Sequence, residues 1–225
     1  MTDLLSETDL ARVPLPADVV GFGFAEMRYL LSLHETESSA MTARSLGLDE
    51  VAPDADWVGA AGISSLLARG LVAADRDRAV SRGEAALLEV LFSRGHRWSG
   101  VGFRDVDDGE GDMLVVIEGP GAVGLLQPRP FGTWFVSLSA DPAHVADPSD
   151  LVAASILEAR ELHPGVGFAI ETRTLEGLVG RRYARPAPDG WLVSDTLQGE
   201  QHRRGLTDTA AVVRATLTGV GDLGE

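Results

Sequence analysis

The first third of the chain changes its hydrophobic period several times. Val19–Phe24 is an apolar stretch that predicts a strand. The residues from Met27 to Leu33 alternate apolar and polar side chains, so this element could be a strand or a helix. Glu35–Val51 is polar and has no clean period, which indicates a loop with room for a short helix.

Two helices are predicted next. Asp54 and Asp56 are N-cap candidates and Gly70 is a stop signal, so together they frame a helix over Trp57–Arg69. Arg82–Arg94 carries an apolar stripe that ends at a glycine, which is typical of a second helix. We expect the two helices to form a helical hairpin near 57–94.

From Trp98 onward, short apolar runs alternate with turn residues. The predicted strands are Trp98–Val106, Met113–Glu118, Ala122–Gln127, Thr133–Leu138, Val166–Leu175, Leu178–Arg185 and Gly190–Ser194. Helices are predicted at Pro148–Leu162 and at about Asp208–Leu217. Because hairpin-length turns join most neighbouring strands, we expect an α+β fold with one continuous, mainly antiparallel sheet and with helices covering only one of its faces.

One short sequence occurs twice. Gly100–Phe103 reads Gly-Val-Gly-Phe and recurs as Gly165–Phe168, each time opening strands that end in a helix. This repeat predicts a pseudo-two-fold duplication that relates residues 98–162 to 165–217, while the alternative is two unrelated glycine-rich strand starts. The chain is then a single α+β domain, 1–225, whose parts are the strand and helical hairpin (19–97), the two strand–helix halves (98–164 and 165–217) and a tail (218–225).

Charge limits the partners. The chain has 225 residues, with 34 acidic against 19 basic side chains and a net charge of −15. Such a charge repels phosphate backbones and anionic membranes, so neither nucleic acid nor membrane is an expected partner. The acidic start is unlike a signal peptide, and Trp57–Ala68, the longest uncharged run, is too short for a membrane span. We therefore expect a soluble, cytoplasmic protein.

Three absent residue types limit the chemistry. The sequence contains no Cys, Lys or Asn, a bias that indicates a GC-rich genome such as that of an actinobacterium. Without Lys there is no P-loop lysine and no Schiff base, and without Cys there is no thiolate nucleophile or Cys-ligated zinc. Ser, His and carboxylate chemistry remains open.

The motifs favour structural roles. Gly119–Gly124 matches a dinucleotide fingerprint in letters, but strand-like residues follow where a helix is needed, so we expect a hairpin turn. Asp105–Asp112 lacks glycine at the position that an EF-hand loop requires, and indicates an acidic turn. The histidines show no metal-type spacing, and no nucleophile elbow is present. No cofactor, metal or catalytic residue is predicted.

Trp57–Val72 is also similar to a winged-helix recognition helix, but it offers only one basic residue.

Five arginines are concentrated near the end of the chain: Arg181, Arg182, Arg185, Arg203 and Arg204. On a strand, Arg181, Tyr183 and Arg185 share one face because side chains alternate. Such a row suits an acidic protein partner, so these three residues are the predicted partner-binding site. The alternative is a solvated edge strand whose charges discourage aggregation.

The order of elements, together with the phrase at Leu66–Val72 (Leu-Leu-Ala-Arg-Gly-Leu-Val), resembles the EspG family of type VII secretion chaperones. The resemblance covers roughly Val19 to Leu217 in layout. It implies two pseudo-symmetric halves and a non-catalytic cytoplasmic chaperone that binds the helical tip of a PE–PPE-type substrate.

Two other functions stay open. A small-molecule-binding domain would need a pocket lined by Trp98, Phe103, Trp134 and Phe135. A hydrolase would need a His–carboxylate pair that the sequence does not reveal. The preferred interpretation is a protein-binding module.

Overall fold

A computed structural model describes residues 19–49, 56–75, 78–105, 111–140 and 147–219. The helices are α1 (Phe24–Ser32), α2 (Glu37–Ser45), α3 (Asp56–Ala68), α4 (Gly83–Arg94), α5 (Pro148–Leu162) and α6 (Thr209–Thr218). The strands are β1 (Val20–Gly23), β2 (Val72–Asp75), β3 (Arg78–Ser81), β4 (Arg97–Asp105), β5 (Gly111–Gly119), β6 (Ala122–Arg129), β7 (Thr133–Ser139), β8 (Val166–Thr174), β9 (Gly177–Ala187), β10 (Gly190–Ser194) and β11 (His202–Gly205). The predicted α+β class is confirmed.

Some sequence predictions lie outside the described residues. They are the cap Asp54, His144, the middle of the acidic turn at 106–110 and the tail from 220 onward. Among the described residues, no helix combines the length and the apolar character needed to cross a membrane.

Nine strands form one antiparallel sheet. Their order is β1-β7-β6-β5-β4-β8-β9-β10-β11, and β2 and β3 form a separate two-stranded hairpin. Every neighbouring pair in the large sheet is antiparallel. The predicted continuous antiparallel sheet is confirmed. β11, which no pattern predicted, forms one edge.

The order of elements has the two-fold character that the repeat predicts. β4–β7 form a meander that leads to α5, and β8–β11 form a second meander that leads to α6. β4 and β8 are neighbours, and Phe103 is the register partner of Phe168. The last residues of the two Gly-Val-Gly-Phe segments thus face each other at the centre of the sheet. Superposition of the two halves by a two-fold axis stays a prediction.

Helices cover both faces of the sheet, so the expectation of one covered face is wrong. Leu114 and Val116 of β5 are buried in a core with α5 and α6. Val115 and Ile117, which point the opposite way, are buried in a core with α1, α2 and α4. A continuous apolar run is typical of a strand that is buried on both sides, and β5 carries such a run.

Both helices predicted near 57–94 form, but neither is the other's main packing partner, so the prediction that they form a helical hairpin is wrong. The β2–β3 hairpin separates α3 from α4, α3 packs chiefly on α1, and α4 packs on α2 and α1. Gly62 allows the close approach of α3 to α1, because a Cβ atom at this position would overlap the backbone carbonyl of Ala25.

The Leu66–Val72 phrase forms a helix end. Gly70 has a φ of 72°, and the amides of Gly70 and Leu71 donate to the carbonyls of Leu67 and Leu66. This is the Schellman arrangement, which glycine favours because it adopts the left-handed conformation at little cost.

The buried carboxylate of Glu26 links the Leu66–Val72 segment to α1. Glu26 is 4% exposed and accepts hydrogen bonds from Arg69 (2.7 Å), Ser65 (2.7 Å) and the amide of Gly23 (2.8 Å). The bond to Gly23 also caps α1, so Glu26 explains why the ambiguous segment after β1 is a helix. The loop predicted after it contains α2, which Thr36 caps by accepting from the amide of Ser39 (3.0 Å).

Candidate functional site: an open sheet face

Half of one sheet face is left uncovered by the described helices. α1, α2 and α4 cover the first half of the sheet on one side, and the core beneath them contains no residue of β8, β9, β10 or β11. α5 and α6 cover the centre and second half of the sheet on the opposite side. We call the uncovered side of β4 and β8–β11, the side that faces the same way as α1 and α4, the open face.

Small residues form the floor of the open face. A Cβ atom at Gly100 or Gly102 would meet no described heavy atom within 4 Å, so there is space beside β4 at these two positions. Ala169 of β8 is the register partner of Gly102, and Tyr183 of β9 is the register partner of Ala169. We call the surface over these three small residues, beside the larger side chains of β9, the trough.

The three predicted partner-binding residues lie together on this face. Arg181, Tyr183 and Arg185 occupy alternate positions of β9 and therefore point to the same side. Arg181 and Tyr183 are partly buried, whereas Arg185 is exposed. Their contact with a partner stays a prediction.

The carboxylate of Glu171, which no sequence pattern predicted, lies next to these residues. Glu171 of β8 is the register partner of Arg181 and bonds it through Nε (2.6 Å) and a second guanidinium nitrogen. Arg173 donates from Nε to the other oxygen of Glu171 (2.5 Å). Partial burial raises the pKa of the Glu171 carboxyl, but the hydrogen bonds and charges of the two arginines outweigh it and hold that pKa below its ordinary value.

The other end of the row is also basic. Leu192 of β10 has Arg185 and Arg203 as its register partners on the two neighbouring strands, so all three side chains share the open face. Arg203 bonds Asp189 (2.6 Å), but these side chains are 63% and 77% exposed, so water screens the pair. Arg104 of β4, two residues from Gly102, is exposed on the same side.

The other two of the five clustered arginines, Arg182 and Arg204, face the side of the sheet that α5 and α6 cover. Arg182 points to the α6 side, is 14% exposed and pairs with Asp195 at 3.2 Å. Arg204 is the register partner of Trp191, which is buried in the core beneath α5 and α6. The alternation of the strands therefore divides the five arginines between two faces.

One His–carboxylate pair occurs among the described residues. His34 Nε2 lies 2.7 Å from Glu89, with side chains that are 46% and 26% exposed. Burial raises the pKa of Glu89, but hydrogen bonds with Ser81 and His34 and the charge of His34 lower it below its ordinary value. No described hydrogen bond joins Ser81 to the imidazole of His34, so the Ser–His–carboxylate order of a hydrolase is not formed there. In the same described part of the chain, no three acidic or His side chains are grouped to hold a metal ion.

The four aromatics proposed for a small-molecule pocket do not line one pocket. Trp98 and Trp134 are buried with α1 and α4, and Trp98 donates to Thr42 (2.8 Å). Phe103 is buried with α5 and α6, on the other side of the sheet. Phe135 also points away from Trp134, because side chains of adjacent strand residues alternate. Strand alternation thus separates residues that are near in sequence.

The winged-helix similarity is geometric only. α3 is followed by the β2–β3 hairpin, as a recognition helix is followed by a wing. Its exposed side carries Trp57 (74% exposed) and Leu67 (40% exposed), and its one basic neighbour, Arg69, is bonded to Glu26. A helix that reads a DNA groove needs several basic or amide side chains, which α3 lacks.

No model of a known protein family matches this chain, and no curated protein matches it.

Proposed function

We propose that this chain is a non-catalytic protein-binding module whose partner contacts Arg181, Tyr183 and Arg185 on the open face. The observation that carries the proposal is the half of one sheet face that the described helices leave uncovered. The free space above Gly100 and Gly102 indicates a surface that a second molecule can approach closely.

The composition of the face favours a protein as its partner. Arg and Tyr are enriched at the centres of protein interfaces, where they combine apolar area with hydrogen-bonding groups. Exposed apolar side chains lie on this face or beside it: Leu178 of β9 is 52% exposed, and Met113 of the neighbouring strand β5 is 40% exposed. A shallow trough of this kind suits an elongated protein surface better than a small molecule, which usually binds in a concave pocket.

The finer proposal is a cytoplasmic chaperone for a type VII secretion substrate of the PE–PPE type. It is supported by the layout that resembles the EspG family, by the Leu66–Val72 phrase at the end of α3, and by the pairing of Phe103 with Phe168 where the two strand–helix halves meet. In this proposal the substrate lies against the open face and no residue performs catalysis.

Capture of partners from the native host tests the proposal. The affinity-tagged wild-type chain, the double variant Arg181→Glu/Arg185→Glu and a control Arg78→Glu/Arg82→Glu are each used as bait at physiological salt. Arg78 and Arg82 are exposed on β3 and just before α4, so the control makes the same charge change away from the open face.

We expect the first double variant to lose a partner that both the wild type and the control retain. Its circular dichroism should be unchanged and its melting temperature lower, because Arg181→Glu places a second carboxylate opposite Glu171. Equal capture by all three chains would exclude the open face as the binding site. Identification of the retained protein by mass spectrometry then tests the secretion-substrate proposal separately.

A further inference from the structure

The arginines of the open face have more hydrogen-bond donors than the described acceptors around them can use. A guanidinium group has five N–H donors, and a carboxylate accepts about four hydrogen bonds. Glu171 is shared between Arg173 and Arg181, and receives one bond from the former and two from the latter. Arg185 is exposed and makes no ion pair or side-chain hydrogen bond with a described residue. In the part of the chain that the structure describes, the arginine donors of the face therefore outnumber the carboxylate acceptors, and the remaining donors are left to water or to a ligand.

The charge of the face is opposite to that of the chain. Its basic side chains are Arg104, Arg173, Arg181, Arg185 and Arg203. Among the described residues, the carboxylates bonded to them are Glu171 and the exposed Asp189. In a chain with a net charge of −15, this excess of arginine is a local attraction for an acidic ligand.

We propose that the partner presents an acidic, extended segment to the trough, and that Glu171 is an internal competitor whose bonds to Arg173 and Arg181 this segment replaces. The inference rests on the proposed protein-binding function and adds the chemistry of the partner. It also gives Glu171 a role: it keeps two guanidinium groups oriented along the trough in the absence of the partner.

The spacing of the row defines the segment further. Arg181 and Arg185 are four residues apart on β9, which is about 13 Å along a strand. Tyr183 lies between them and presents a ring next to the small residue Ala169. An extended segment with acidic residues at i and i+4 and an apolar residue at i+2 has the same spacing. Its carboxylates can bond the two guanidinium groups while the apolar side chain packs on Tyr183.

Nucleic acid is the competing anionic ligand, and the charge of the chain argues against it. A phosphate backbone approaches with a dense line of negative charges, so it meets the repulsion of the whole acidic surface. A short acidic segment brings a few charges to the basic row alone. Oligonucleotide binding is therefore one of the outcomes to be measured.

The test uses a defined probe and the full chain. The probe is a fluorescein-labelled peptide of four Glu-Ser-Val-Ser repeats, and its neutral control has Gln in place of Glu. Fluorescence anisotropy at low and at physiological salt is measured for the wild type, Glu171→Gln, Arg185→Glu and Arg78→Glu. A labelled oligothymidylate is titrated in parallel.

We expect the acidic peptide to bind and the Gln peptide to bind at least about tenfold more weakly. Glu171→Gln should tighten binding of the acidic peptide about fivefold, because a like charge is removed from the site. Arg185→Glu should weaken it about tenfold, while Arg78→Glu leaves it unchanged. Circular dichroism confirms that each variant is folded.

Equal binding of the acidic peptide to the wild type and Arg185→Glu, or no effect of Glu171→Gln, would overturn the inference. Tighter binding of oligothymidylate that is lost in Arg185→Glu would also overturn it and assign the face to nucleic acid. If the wild type captures a host protein through Arg185 but does not bind the acidic peptide, the inference that the partner presents an acidic segment is wrong. The protein-binding function then stands.

Discussion

Replacing Gly102 by Val should stabilise the folded chain and abolish partner binding at the same time. Gly102 is in the middle of β4, and an added Cβ atom meets no heavy atom within 4 Å. A glycine inside a strand costs roughly 0.5–1 kcal/mol relative to alanine, and β-branched residues favour strands further. We expect the free energy of unfolding to rise by about 1 kcal/mol, which raises the melting temperature by roughly 2–4 °C at this chain length.

The same valine fills the floor of the trough. Its methyl groups occupy the space beside Ala169, where the partner is proposed to lie. Urea unfolding measures the stability, and titration of the captured partner measures the affinity. Gly59→Ala on α3 is the matched control, because its Cβ atom also meets nothing within 4 Å. It should stabilise the helix by about 1 kcal/mol and leave binding unchanged.

Two results would refute this reasoning. If Gly102→Val is stabilised and still binds the partner normally, the partner does not use the floor of the trough. If Gly102→Val is destabilised by more than about 1 kcal/mol, the space above β4 is already filled in the free chain, contrary to an open face.

Two further predictions concern stability. Arg69→Ala should lower the free energy of unfolding by about 2–3 kcal/mol in urea titrations, because it leaves the buried Glu26 carboxylate without its cation; the usual loss is reduced since Arg69 is partly exposed. An effect below about 0.5 kcal/mol would contradict this role. The lowered pKa of Glu89 predicts a contribution to stability that is complete above about pH 5 and is lost as pH falls through the folded-state pKa. Urea midpoints of the wild type and Glu89→Gln should therefore differ at neutral pH and converge in acid, and parallel curves would show that the bond to His34 contributes nothing.

Local sequence patterns predicted most helices and strands, but they did not predict the contacts between elements that are far apart in the sequence. The apolar run of β5 and the helix signals around α5 depend on near neighbours in the sequence, so their bounds are close to those expected. The segment after β1 was ambiguous because its apolar residues alternate. Glu26 decides in favour of a helix through contacts with Arg69, which is 43 residues away and invisible to any local period.

The open face could be predicted only in part. Alternation along β9 places Arg181, Tyr183 and Arg185 on one side, and this holds in the structure. The floor depends on the pairing of β4 with β8, a contact between segments far apart in the sequence that no local pattern specifies. Glu171 was missed for the same reason, since its bonds to Arg181 cross from one strand to the next.

Photo-crosslinking from position 183 tests the central claim most directly. Tyr183 is replaced by benzoylphenylalanine in the full chain, and the same replacement is made at Leu157, which is 39% exposed on α5 on the opposite side of the sheet. In the native host, irradiation should join position 183 to the same protein that the wild-type chain captures, while position 157 gives no such product. A crosslink to that protein from position 157 and none from position 183 would contradict partner binding at the open face.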